Sequence, residues 1–170
     1  MKKSPSLPFF LSVSVLLALA DQIAKLALIS RFRFGEILPI IPGYLNLTYI
    51  RNRGGAFGLL AAIPPAWAQG FFIVATTLAL VFVLYLYGWK TPLNRGGRVA
   101  LILIFGGGLG NLVDRVAYGE VIDFVDVYYG SYHWPAFNLA DSCISVGVAL
   151  LAVDIFRDPG GDPGGGQESG

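Results

Sequence analysis

Long apolar runs dominate the chain, and the few polar residues inside them are unevenly placed. A bilayer core of about 30 Å takes roughly 20 helical residues to cross. Four segments have that length and character, at about Leu7–Ser30, Trp67–Tyr87, Val99–Val116 and Phe137–Phe156, and the second carries no charge. Amides inside hydrocarbon must be paired within their own segment, and these runs lack the roughly ten-residue alternation of barrel strands, so four helices are predicted. In the loop over about 31–66, Leu45-Asn46-Leu47-Thr48-Tyr49-Ile50-Arg51-Asn52 is rich in β-formers and partly alternating, with a turn signal at Arg53-Gly54-Gly55. A small extracytoplasmic β element is therefore predicted. The link after the third span, Gly119 to Tyr128, is amphipathic and is expected to lie along the membrane surface. The chain thus reads as an all-α integral membrane protein, one domain over 1–156, and the Gly- and Pro-rich residues 157–170 read as a disordered cytoplasmic tail.

The first span also imitates a secretory signal peptide, with Lys2 and Lys3 before an apolar run and Ala18-Leu19-Ala20 before Asp21. Apolar character resumes at Ile23 and continues to Ile29, so a retained span is expected. Lys2, Lys3, Lys90, Arg95, Arg98 and Arg157 fall on one side of the membrane, and Arg31, Arg33, Arg51 and Arg53 on the other. That bias favours both termini in the cytoplasm.

Composition agrees with the hydropathy pattern: 55% of the 170 residues are hydrophobic and only 14% charged, with a mean hydropathy of +0.63. A net charge of +1 supplies no polybasic face, so a nucleic-acid partner is not expected. One Cys and one His provide neither a disulfide framework nor a zinc site. Chemistry must rest on carboxylates, amides, Lys and Arg.

Ionisable groups within spans cost roughly 2.5 to 3.5 kcal/mol each, which makes them functional candidates by default. With the termini inside, Asp21 and Lys25, then Asn111, Asp114 and Arg115, then Asn138 and Asp141 all fall toward the outer surface. Asp21 with Lys25 and Asn111 with Arg115 share a helix face at i,i+4, and Asn138 with Asp141 at i,i+3. The competing reading of Asp21 and Lys25 is a neutralised pair that merely tolerates burial. The glycines at 106–108 and 110 lack the Lys-Ser/Thr of a phosphate loop and read as close helix packing. Cys143 and His133 read as bystanders, and Asp154 as a residue that reaches water near the cytoplasmic end.

The link after the third span adds Glu120, Asp123 and Asp126. Asp123 and Asp141 bracket the return of the chain into the fourth span, which would bring two carboxyl groups face to face. Two such groups do not both ionise easily, so one keeps a proton and the other acts as base toward water. Residue patterns alone leave Asp114, Glu120, Asp123 and Asp126 open as the partner of Asp141.

Four blocks in order, Asp21-Gln22 with Lys25, Asn52-Arg53-Gly54-Gly55-Ala56-Phe57-Gly58, Gly110-Asn111-Leu112-Val113-Asp114-Arg115 with Gly119 and Val121 to Phe124, and Phe137-Asn138-Leu139-Ala140-Asp141, resemble signal peptidase II. The resemblance covers nearly all the chain before the tail. It implies an aspartyl endopeptidase of the bacterial inner membrane that removes signal peptides from diacylglyceryl-modified prolipoproteins, cutting before the lipidated Cys. By matching blocks, Asp123 and Asp141 take the catalytic dyad, supported by Asp21, Lys25, Asn52, Asn111, Arg115 and Asn138. Arg115 and Asn111 are then expected to orient Asp123 or the substrate backbone, Asn138 to orient Asp141, Lys25 to balance Asp21, and Asn52 to meet the substrate. No metal or cofactor is implied, and the expected state is a monomer in contact with membrane lipid. The rival readings are a transporter with an ion relay, a Ser-Lys hydrolase pairing Lys25 with Ser142 or Ser145, and a metal-dependent phosphotransferase.

Overall fold

A computed structural model describes residues 6–54, 64–88 and 94–157. Lys2, Lys3, Lys90, the Gly55-to-Gly58 part of the second block and the tail beyond Arg157 lie outside the described residues. Four helices are long and apolar enough to cross a membrane: α1 (Leu7–Ile29), α2 (Pro65–Gly88), α3 (Arg95–Tyr118) and α4 (Leu139–Arg157). Four strands, β1 (Ile37–Ile41), β2 (Leu45–Asn52), β3 (Val121–Tyr129) and β4 (Tyr132–His133), form one antiparallel sheet in the order β1-β2-β3-β4.

The predicted spans and helices agree, with differences only at the ends. α3 begins before the apolar run because the Asn94 side chain caps it, accepting the backbone N–H groups of Gly96 and Gly97 at 2.6 and 3.2 Å. Arg95 and Arg98 are polar enough to escape a hydropathy window yet extend the helix without cost to its backbone pairing. α4 begins after Asn138, which is its cap rather than its first turn.

The predicted strand at 45–52 is β2, and Gly54, at φ +91°, makes the turn that follows. The stretch over Gly119 to Tyr128, expected as a surface-lying amphipathic segment, forms the strand β3 from Val121 onward. Its backbone amides find partners on β2, in a register that sets Asp123 opposite Ile50 and Asp126 opposite Asn46. The αL residue Gly119, φ +76°, closes α3 and turns the chain into that strand.

α3 is the central helix and packs on α1, α2 and α4. Its glycines permit the contact: a Cβ on Gly107 would collide with the backbone oxygen of Ala140, and one on Gly110 would fall 2.8 Å from the Asp21 carboxylate. Phe10, Leu80, Val83, Leu101, Ile102 and Phe105 make an apolar core among α1, α2 and α3. A second cluster, Leu28, Tyr49 and Ile122, joins the last turn of α1 to the sheet. Polar side chains from α1, α3, α4 and the sheet fill the layer between the two clusters.

Candidate active site

The deepest part of this layer is an ion cluster. The Lys25 ammonium lies 2.7 Å from both Asp21 and Asp114 and donates to Asn111 Oδ1 at 3.1 Å. Its three hydrogens are matched by three acceptors, which buried ammonium requires. Asp21 also accepts the Ala140 backbone N–H at 3.0 Å, tying α1 to α4. Asp114 accepts Gln22 Nε2 at 2.8 Å and the Ile122 backbone N–H at 3.1 Å, tying α1 and β3 to α3. Lys25 therefore has no free lone pair with which to activate a serine, and Ser142 donates to the Asn138 backbone oxygen at 2.9 Å instead. The Ser-Lys reading has no support in this geometry.

Three asparagines stand above the cluster, and the orientation of each amide is fixed by a partner with a single hydrogen-bonding role. Lys25 can only donate, so Asn111 Oδ1 faces it and Nδ2 is left to donate to Asp141 Oδ1 at 2.7 Å. The Gly54 backbone N–H can only donate, so Asn52 turns Oδ1 to it at 2.8 Å and gives Nδ2 to Asp123 Oδ2 at 3.0 Å. The Asp141 backbone N–H takes Asn138 Oδ1 at 2.8 Å. Asn138 Nδ2 then faces Asp123 Oδ1 at 2.8 Å, with Asn111 Oδ1 and the Ile122 backbone oxygen at 3.1 and 3.2 Å. Asp141 Oδ2 accepts the Asn138 backbone N–H at 3.2 Å. Each oxygen of Asp123 and Asp141 thus meets one protein donor and keeps acceptor capacity beyond it.

All eight site residues expected from the sequence come together, but the pairings differ from those expected. Asn111 bonds Asp141, not Asp123, and Asn138 contacts both aspartates. Lys25 balances Asp114 as well as Asp21. Arg115 stacks over the Phe72 ring at 5.2 Å and donates to the Asn111 backbone oxygen at 3.4 Å, within electrostatic reach of Asp141, Asp114 and Asp123. Two cations, Lys25 and Arg115, thereby face four carboxyl groups. Burial pushes the Asp123 carboxyl up to about 7; the Asn52 and Asn138 amides and Lys25 oppose the rise, and the nearby Asp141 charge adds to it.

Asp114, open from the residue pattern as a partner of Asp141, instead belongs to the site's framework through Lys25, and Gln22, not among the expected site residues, joins it by donating to Asp114. Gln69 and Phe72 of α2 were missed altogether. Gln69 donates to the Arg115 backbone oxygen at 3.0 Å, and Phe72 supports the Arg115 guanidinium and abuts Gly54. A search for charge passes over this uncharged span; the available signal was a lone glutamine near its end.

Four helices of spanning length joined to a small antiparallel sheet define an integral membrane protein. The same fold occurs in a solved bacterial membrane enzyme at TM-score 0.81 and 31% identity, covering 99% of this chain and 98% of that one. A second solved bacterial membrane enzyme matches at TM-score 0.80 and 33% identity, covering 93% and 99%. The family model described as signal peptidase (SPase) II matches residues 13–157. The lipoprotein signal peptidase of Syntrophotalea carbinolica is 43% identical over 148 residues, 87% of this chain and 91% of the relative. That of Geobacter sulfurreducens is 46% identical over 138 residues, 81% and 85% of the two chains. The chain belongs to the signal peptidase II family, a family of proteases, and is a multi-pass bacterial membrane protein.

Proposed function

We propose that the protein is an aspartyl endopeptidase that removes the signal peptide from diacylglyceryl-modified prolipoproteins, cutting just before the lipidated Cys, with Asp123 and Asp141 as its catalytic pair. The observation that carries this reading is the bridge made by Asn138, which donates to Asp123 Oδ1 through its side chain and to Asp141 Oδ2 through its backbone. One residue sets both carboxyl groups, so the two are held in a fixed relation to a water or peptide placed between them.

Asp141 sits in the first turn of α4, with its two oxygens accepting from Asn111 Nδ2 and the Asn138 backbone N–H, and is placed to act as the base. Asp123 is 1% exposed and holds the proton at rest, since burial and the Asp141 charge both disfavour its ionisation. Asp141 takes a proton from water as the water oxygen bonds to the scissile carbonyl carbon, and Asp123 gives its proton to the carbonyl oxygen. Collapse of the tetrahedral intermediate breaks the C–N bond. The proton held by Asp141 passes to the leaving amine, and the carbinol proton returns to Asp123, restoring the starting state. Asn52, exposed at the end of β2, and Arg115 would contact the substrate backbone.

The Lys and Arg distribution supports both termini in the cytoplasm and the sheet on the outer face of the inner membrane. A monomer suffices, since every residue of the pair and its support comes from one chain. The substrate's signal helix would lie among the spans with its acyl chains in lipid, presenting the scissile bond at the level of Asp123 and Asp141. The test is a gel-shift processing assay on a lipidated prolipoprotein with Asp123→Asn and Asp141→Asn. Each variant should insert normally and lose cleavage; normal processing by both would sink the assignment. Chelator-insensitive cleavage by the wild type would separate this reading from metal-dependent chemistry.

A further inference from the structure

We propose that Arg31, Arg33 and Arg51, together with the exposed strand β1, form a docking surface for anionic phospholipid headgroups of the leaflet on the sheet side of the membrane. α1 ends at Ile29, so Arg31 and Arg33 follow the end of a membrane span within four residues, at headgroup level. Arg51 is brought to the same region by Tyr49: its Nε donates to the Tyr49 hydroxyl at 2.9 Å and its guanidinium lies 5.6 Å from the ring centre. Tyr49 packs on Leu28 of α1 and meets the Phe34 ring edge-on at 5.8 Å. One aromatic residue therefore gathers Arg51 and the 31–34 segment against the end of α1.

Four arginines lie between α1 and α2 on this side of the membrane, and of these only Arg53 has a carboxylate partner among the described residues, Glu120 at 2.6 Å. The nearby Glu36 carboxylate accepts the Arg33 backbone N–H at 2.8 Å, and among the described residues no ion pair engages the guanidinium groups of Arg31, Arg33 or Arg51. Beside them, all five residues of β1 are exposed, including Ile37, Leu38, Ile40 and Ile41. Exposed apolar residues on the helices face lipid because the helices span it, but those of an extramembrane edge strand have no such account. An apolar edge is a liability in water and suits the boundary between headgroups and acyl chains. The exposed rings of Tyr44 and Tyr129, 5.8 Å apart, and of Trp134 are of the kind that settles there. Charge chooses the occupant: a second copy would set three arginines against three, whereas lipid phosphates complement them. Docking holds β2 and β3, and with them Asn52 and Asp123, at the membrane surface.

The test uses the full chain in phosphatidylcholine vesicles carrying traces of phosphatidylglycerol or phosphatidylcholine with a photoreactive group beside the headgroup, crosslinks being mapped by peptide. Phosphatidylglycerol should label residues 31–51 at least about threefold more than phosphatidylcholine at low salt. The ratio should approach one in 1 M salt, where the screening length is about 3 Å. The R31Q/R33Q/R51Q variant should label equally with both lipids over 31–51 while its span crosslinks stay unchanged, and R53Q should behave as wild type. Inorganic phosphate at fixed ionic strength should leave the ratio intact; its abolition by phosphate would mean a free-anion site. That result, equal labelling in the wild type, or a preference that survives the triple substitution would overturn the proposal.

Discussion

Asn138 and Asp141 cap α4 reciprocally, the Asn138 side-chain oxygen accepting the Asp141 backbone N–H at 2.8 Å and the Asp141 carboxylate accepting the Asn138 backbone N–H at 3.2 Å. This is the geometry of a capping box, with Asn and Asp at its two ends. The contact that starts the helix thus also fixes the rotamer of a proposed catalytic carboxylate, so folding of α4 and preparation of the site are one event.

Replacing Asn138 by Ala should therefore affect both. Loss of a cap costs about 1 kcal/mol, a fall of a few degrees in Tm in detergent. Cleavage should fall further, about 100-fold or more, because Asp123 loses its Asn138 Nδ2 donor and the cap that sets the Asp141 backbone is gone. Asn138→Ser tests the split: a serine restores the cap but does not reach Asp123, so Tm should recover while kcat stays low. Full recovery of kcat with Ser would show that Asn138 serves the helix alone.

The pH dependence of cleavage follows from Asp123. Its carboxyl is pushed up to about 7 and must hold a proton at the start of the cycle, so kcat/KM should decline as pH rises through about 7. Asn52 donates to the ionised carboxylate and thereby opposes the rise. In Asn52→Ala the Asp123 carboxyl should rise further, and the alkaline limb should move to higher pH even as the rate falls. A limb that moves down, or that is unchanged, would count against Asp123 as the proton donor.

The same shift has a consequence for stability. Between the unfolded value of 3.8 and about 7 the native state binds the proton more tightly than the unfolded state. The contribution of Asp123 is full below about 4 and is lost as pH rises through about 7. Thermal unfolding in detergent should show this decline in the wild type and a smaller one in Asp123→Asn, which has no carboxyl proton to lose.

Lys25 should be the most sensitive position for folding. Lys25→Met leaves Asp21 and Asp114, 1% and 0% exposed, without their cation. Breaking a buried ion cluster in this way costs about 3–5 kcal/mol. The combined variant Lys25→Met with Asp21→Asn and Asp114→Asn should recover much of that loss, and comparison of the three Tm values measures the charge imbalance directly.

Close packing predicts a different failure at Gly107, where any Cβ meets the Ala140 backbone oxygen. Gly107→Ala should lower Tm by an amount corresponding to about 1–3 kcal/mol. It should also lower cleavage, since pushing α4 away from α3 displaces Asp141 from Asn111. Unchanged Tm would show that the helices separate there without penalty.

The spans, their approximate ends and the one-sided depth of the polar residues were legible in the sequence, because crossing hydrocarbon imposes length and apolarity on each segment independently. Hydrophobic patterning also located β2, with its turn at Gly54. It did not distinguish a surface-lying segment from strand β3, because an amphipathic stretch satisfies either, and only the free edge of β2 decides. Nor did residue patterns choose among the acidic groups near Asp141. In the folded chain Asp114 is held by Lys25 and Gln22, Glu120 by Arg53, and Asp126 by Asn46 and His133. Asp123 alone of the four shares Asn138 with Asp141. The likeness of ordered blocks to a known family singled out that same residue. Sequence alone, then, determined the solvent, the four spans and the level at which polar groups collect, since those depend on local composition. Which carboxyl groups meet, and which amide is turned toward each, depends on pairings such as Asn52 with Asp123 across 71 positions, and those exist only once β2, β3, α3 and α4 are packed together.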